Sequence, residues 1–269
     1  MARENSVQLH GQVRKNPQIQ ISNGNLVRAM LSIKVIRRTQ KDQNFDTKLY
    51  FDCPVLFTKN EDMIKCINTL KVNDMIDVKG VVSTRDVKKT STCPVCGGKN
   101  QTIGTLMYIT PLYIKKCDAV KDDAEGIQTL KSRSEISNIV KLIGNLCKEP
   151  EYYEDGKNMY ASFPLAVNRR YHIKEDPDEK RTDYPWIKTY GMKACEDSKK
   201  LHLGSSVFID GALQSRQIIR STVCEHCENS YNWDDTVGEI VPYYIGYLTG
   251  CGELDDTEEV IGEVQIGET

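Results

Sequence analysis

Apolar and polar residues alternate from the start of the chain: Val7, Leu9, Gly11 and Val13 are separated by polar positions, the period of a strand with one buried face. Ile19 and Ile21 lead into Asn23-Gly24, a dipeptide that favours a tight hairpin turn, and alternation resumes over Leu26–Ile36. A third strand is predicted over Leu49–Phe57, which is rich in β-branched and aromatic residues. The period then changes. Met63, Ile64, Ile67 and Leu70 stand at helical spacing behind a capping candidate, Thr58 or Asn60. Strands over Val72–Val87, which contains Gly80, and Leu106–Ile114 follow, with a long excursion between them.

The same order occurs twice. Leu70–Gly80 lies 131 residues before Leu201–Gly211, and the offset holds without a gap through Arg85/Arg216, Cys93/Cys224, Cys96/Cys227, Pro111/Pro242 and Tyr113/Tyr244. Near the start of each half, Val7, Leu9, Gly11, Lys15 and Pro17 match Val140, Leu142, Gly144, Lys148 and Pro150 at an offset of 133. Such a register marks two copies of one unit. The second copy carries predicted strands over Ile139–Leu146, Met159–Arg170, Trp186–Tyr190, Ser206–Ile219 and Glu239–Leu248, with a helix near Met192–Leu201. Three strands, a short helix and two strands is the order of a five-stranded oligonucleotide-binding barrel. The predicted fold is therefore all-β with short helices: two tandem barrels at 1–118 and 136–250, a polar linker at 119–135 and a tail at 251–269.

Composition adds little until it is divided along the chain. The formal net charge is −2, but Cys251–Thr269 holds seven carboxylates and no Lys or Arg, leaving 36 bases against 31 acids elsewhere. A mildly basic body with an acidic tail fits a polyanion binder with a solvated interaction segment. No apolar run reaches the roughly 18 residues of a spanning helix, and MARENSVQLH lacks the apolar core of a signal peptide. A cytoplasmic location, with no membrane partner, is expected.

In a reducing compartment closely spaced thiols read as metal ligands or free thiols. Cys93-Pro-Val-Cys96-Gly97 has the form of a zinc knuckle, and Cys224-Glu-His-Cys227 stands at the matching position. Each knuckle supplies two of the four ligands that structural zinc takes. One shared site of Cys93, Cys96, Cys224 and Cys227 is preferred. The alternatives are two sites, completed by Cys53, Cys66 or Cys117 in one half and Cys195, His202, His226 or Cys251 in the other, or reduced thiols alone. Four thiolates leave no open position for a catalytic water, and no nucleophile–base spacing emerges, so a non-enzyme is expected.

Several segments resemble the bacterial single-stranded DNA-binding protein family. Asn138–Leu146 followed by Lys148-Glu-Pro150 is similar to that family's first strand, Leu165–Tyr171 to its second, and Leu203–Leu213 to its helix exit and fourth strand. Thr84-Arg85 and Ser215-Arg216 match the Thr-Arg at that strand's end, while Ile33–Arg38 and Val78–Val82 sit in the same places in the more diverged first copy. The resemblance implies sequence-nonspecific binding and protection of single-stranded DNA in replication, recombination or DNA transfer. It also implies pseudo-fourfold assembly through a homodimer of the two-barrel chain, and replication or recombination proteins as partners of the tail. The chain departs from the family in fusing two barrels, in its CxxC loops, and in a tail ending Gly-Glu-Thr without an apolar tip.

Gripping single strands without reading sequence takes aromatic faces for stacking and cations along the phosphates. The candidates are Arg37, Arg38, Tyr50, Phe51 and Arg85 in the first copy, and Arg169, Arg170, Tyr171, Tyr184, Trp186 and Arg216 in the second. Tyr190 and Phe57 are further aromatics at equivalent strands, though a core role is open to any one of them. The segments 39–48 and 172–183 resemble the family's DNA-covering loops. An adaptor acting through protein contacts, an RNA-binding barrel protein and a zinc-dependent nucleic-acid enzyme are the rival readings.

Overall fold

In the computed structural model, which describes residues 3–38, 50–156, 158–169 and 182–252, the chain is built almost wholly of strands. The first unit comprises β1 (Glu4–Val13), β2 (Gln18–Ser22), β3 (Asn25–Ile36), β4 (Phe51–Asp52), β5 (Val55–Thr58), α1 (Glu61–Asn68), β6 (Asp74–Thr92) and β7 (Lys99–Ala119). The second comprises β8 (Asn138–Leu146), β9 (Glu151–Asp155), β10 (Asn158–Asn168), β11 (Thr182–Asp183), β12 (Trp186–Tyr190), α4 (Met192–Lys200), β13 (Ser206–Val223) and β14 (Ser230–Thr249). Between them stand α2 (Asp123–Ser132) and α3 (Ser134–Ser137).

Each unit closes as an oligonucleotide-binding barrel. In the first, β1 pairs with β3 and β6, β6 with β7, and β5 joins β7 in parallel at Leu56/Ile109. In the second, β8 pairs with β10 and β13, and β12 joins β14 in parallel at Ile187/Ile240, 131 residues on. The inward positions read from alternation, Val7, Leu9 and Val13 with Val140, Leu142 and Leu146, are all buried. Asn23 and Gly24 both take positive φ, 50° and 79°, as a two-residue hairpin turn between twisted strands requires. Asn60 accepts the amide of Met63 and so caps α1.

A pseudo-twofold axis runs between the units. Strands β1 and β8 pair antiparallel, with Val7 opposite Val140, its own equivalent in the repeat. One sheet thus passes through both barrels. Buried Asn5 and Asn138 repeat a single device: Asn5 holds the backbone N–H and C=O of Val82, and Asn138 those of Leu213, at 2.8–2.9 Å. At the matching bends Gly80 and Gly211, a Cβ would come within 2.5 Å of the carbonyl oxygens of Thr110 and Val241, so only glycine fits.

Four local expectations change. The strand predicted over Leu49–Phe57 is two short pieces, because Pro54 has no N–H for the ladder; Leu49 lies outside the described residues. β9 was not predicted, since Glu151–Asp155 is exposed at every position and shows no apolar alternation. The stretch read as a polar linker is helical: Asp122 caps α2, and Leu130 packs with Ile36 and Met75 on the outside of the first barrel. Finally, the excursions between strands four and five are continuous two-stranded ribbons that reach Thr92/Lys99 and Val223/Ser230.

Candidate nucleic-acid interface and cysteine cluster

The two ribbons lie against each other and form an arm. Lys89 of one reaches Asp235 of the other at 2.5 Å, and Arg220 holds the second oxygen of Asp235 at 2.6 Å. Burial pushes the Asp235 carboxyl up, but these two cations outweigh it and hold the group below the usual carboxylate range. Further out, the buried Tyr231 hydroxyl meets Ser91 at 2.7 Å and accepts from Asn100 Nδ2 at 2.8 Å.

At the tip the four cysteines come together. Cys93 and Cys227 Sγ are 3.7 Å apart, Cys96 and Cys224 3.6 Å, and all four sulfurs lie within 4.8 Å of one another. Tetrahedral zinc with bonds of about 2.3 Å sets sulfurs about 3.8 Å apart. Donors surround the sulfurs: Gly98 N to Cys96, His226 N and Asn100 Nδ2 to Cys224, and Asn229 Nδ2 to Cys227, at 3.3–3.6 Å. Such donors favour thiolates and orient metal ligands. Each turn needs a left-handed residue, supplied by Gly97 (φ 71°) in one knuckle and by Glu228 (φ 58°) in the other. Of the alternative ligand candidates, His226 touches the cluster through its backbone N–H to Cys224, and Cys117 instead donates to Asp77, which also contacts His10 at 2.6 Å.

The arginines divide into two groups. Arg169 makes a two-pronged contact with Asp183, at 2.5 and 2.9 Å, and both side chains are buried. Asp183 also accepts the backbone N–H of Thr84 from the first barrel, at 2.8 Å. The equivalent Arg37 pairs with buried Asp52 at 2.7 Å, and Asp52 accepts the N–H of Ser215 from the second barrel at 2.9 Å. Arg37 also donates to Gln214. These two arginines, expected as groove cations, stand in a reciprocal inter-barrel clamp in the structure. Desolvation raises the Asp52 carboxyl more than Ser215 and Arg37 lower it.

Arg38 is exposed and pairs with Glu135, Arg85 is exposed, and Arg216 is half-buried against Glu239 at 2.9 Å. Tyr50 is exposed beneath the Arg37 guanidinium, 4.7 Å away. Phe51 is half-buried and packs on the Ile36–Met75–Leu130 cluster, with Lys34 Nζ 5.6 Å from its ring centre. Tyr184 is exposed, with its N–H donated to Thr84 Oγ1, while Trp186 is half-buried opposite Pro164. Arg170 and Tyr171, with most of both covering loops and the tail beyond Gly252, lie outside the described residues.

Sequence reasoning named Tyr190 but missed the aromatic row to which it belongs. Tyr153, Tyr160 and Tyr190 are direct cross-strand partners on β9, β10 and β12. The Tyr153 and Tyr160 rings stack at 5.1 Å, and Lys188 Nζ sits 3.8 Å from the Tyr160 ring and 5.7 Å from Tyr190. Burial lowers the Lys188 pKa. The signal was available in Tyr152-Tyr153 and Tyr160, but it becomes a row only once the register of β9 is known.

Comparison with known proteins bears on the second unit first. The profile described as the Single-strand binding protein family matches residues 137–227. A curated Single-stranded DNA-binding protein of Staphylococcus epidermidis is 34% identical over 80 residues, 30% of this chain, and the chain spans 60% of that relative's length. The crystal structure of the wild-type single-stranded DNA binding protein from Thermus aquaticus superposes with a TM-score of 0.60 over 92% of this chain and 95% of that one, at 16% identity. A deletion mutant of the same protein gives 0.59, over 95% and 100%, also at 16% identity. The tandem-barrel architecture is thus shared along nearly the whole chain.

Proposed function

We propose, on the premise that the second repeat belongs to the single-strand binding protein family, that the chain binds single-stranded DNA without sequence preference and shields it during replication, recombination or DNA transfer. The observation that carries this reading is the outer face of strands two and three of the second barrel. There exposed Tyr190 stands directly opposite Tyr160 of the Tyr153–Tyr160 stack, on the surface that such barrels use for oligonucleotides, with exposed Tyr184 six residues before it along the chain. Arg38, Arg85 and Arg216 are the phosphate contacts of this reading, Tyr50 and Trp186 its flanking aromatics. The binding units are 1–118 and 136–250, and the tail from 251 is a docking segment for replication or recombination proteins. The test is competition for the whole chain between labelled oligothymidine, oligouridine and duplex of equal length. Preference for the thymidine strand supports the reading, preference for duplex contradicts it, and preference for oligouridine moves the substrate to RNA.

Zinc is the cofactor of this reading, held by Cys93, Cys96, Cys224 and Cys227. The all-thiol donor set, the sulfur spacings and the ring of amide donors fit it. Its chemistry would be structural: four thiolates close the site, so the ion ties the two ribbons at their tips. Elemental analysis of purified protein should give one zinc per chain; two would indicate separate sites, and none would leave reduced thiols.

A further inference from the structure

The register of the two repeats allows the strand-two/three faces to be compared position by position. The cross-strand pairs Ala29/Thr58 and Ala161/Thr189 are equivalent, as are Gln20/Arg28 and Tyr153/Tyr160. The row Tyr153–Tyr160–Tyr190 of the second barrel therefore corresponds to Gln20–Arg28–Lys59 of the first, all three exposed. Tyr184 corresponds to Cys53. Lys188, lodged between tyrosine rings, corresponds to Phe57, which instead packs edge-on against Tyr108 at 5.3 Å. Charge is distributed in the opposite sense. β9, Glu-Tyr-Tyr-Glu-Asp, carries three carboxylates beside its tyrosines, whereas its counterpart β2, Gln-Ile-Gln-Ile-Ser, carries none.

A face of tyrosines edged by carboxylates attracts the π-faces of bases and repels phosphates. A face of Arg28 and Lys59, whose one aromatic, Phe57, is engaged edge-on with Tyr108, attracts phosphates and offers bases less to stack on. We infer that the two barrels divide the strand by chemistry: the second holds bases by stacking on Tyr153, Tyr160 and Tyr190, and the first holds phosphates through Arg28 and Lys59. This rests on the single-strand reading above. It goes beyond that reading in making the strand-two/three faces unequal, with base contact on that face of one barrel and phosphate contact on that face of the other. None of these five residues lies in the cysteine cluster, and the clamp reaches Tyr190, whose hydroxyl accepts from Gln214 Nε2 at 2.9 Å; Tyr160→Ala on its own therefore tests stacking with the clamp intact.

The test uses the full chain and two probes of equal length, oligothymidine and an abasic deoxyribose-phosphate oligomer. Tyr160→Ala with Tyr190→Ala should weaken oligothymidine binding by about tenfold or more and leave abasic binding unchanged, and the matching Phe variants should restore it. Arg28→Gln with Lys59→Gln should weaken both probes alike and flatten the log–log salt slope by about 1.4. Equal loss on both probes from the tyrosine variants, or an unchanged salt slope from the Arg28/Lys59 pair, overturns the division. Failure of the unaltered chain to bind either probe instead overturns the single-strand reading itself.

Discussion

Asp183 illustrates how one carboxylate can serve two barrels. It holds Arg169 with both oxygens and accepts the Thr84 N–H across the pseudo-twofold axis, while Asp52 holds Arg37 with one oxygen and accepts the Ser215 N–H with the other. Removing one partner of a buried pair leaves the other charge uncompensated. Asp183→Ala should therefore lower stability by about 3–5 kcal/mol in chemical denaturation, and a loss under about 1 kcal/mol would show that Arg169 finds another partner. The sequence places both arginines at strand ends, where a groove cation and a clamp look alike. Only the positions of Asp52 and Asp183, 15 and 14 residues further on, distinguish them, and that proximity depends on the pairing of β3 with β4 and β10 with β11. The cysteines are the opposite case. Their identical spacing in both copies made a shared site readable, because a repeat related by a twofold brings equivalent ribbon tips to the axis.

Among elements, the ribbons were the hardest to read from the chain. Val87 and Arg220 sit in segments with no sustained apolar period, since neither ribbon has a core of its own; their order comes from the ladder and from each other. Lys89, Asp235 and Arg220 are the polar centre of that contact. Because the folded Asp235 carboxyl is held below its ordinary value, its contribution is present above about pH 4 and is lost as pH falls through the lowered pKa. In metal-free protein Asp235→Asn should cost about 2 kcal/mol at pH 7, with the difference from the unaltered chain shrinking steadily as pH is lowered below about 4. A difference that stays constant with pH would contradict this account. The barrels themselves were legible, as Val7–Val13, the Asn23-Gly24 turn and α1 all form where the pattern puts them. β9 was not, because an exposed edge strand of Glu and Tyr carries no periodic signal.

For the whole molecule, the β1/β8 seam and the arm are separate links between the units. The first is a buried sheet and the second is two exposed ribbons whose tips bring four cysteines together, the site proposed above for zinc. Chelation should therefore loosen the arm without separating the barrels: amides near Cys93 and Cys224 should exchange faster while those of Val7 and Val140 stay protected. Global unfolding on chelation would show that the seam and the arginine clamp together do not hold the units. The central claim is that this two-barrel body takes up single-stranded DNA. It is tested most directly by equilibrium titration of the full chain with labelled oligothymidine at a low and a high salt concentration. The account predicts saturable binding at low salt that weakens linearly in log affinity against log salt, with duplex bound far more weakly. Absence of binding at low salt, or an affinity indifferent to salt, would contradict it.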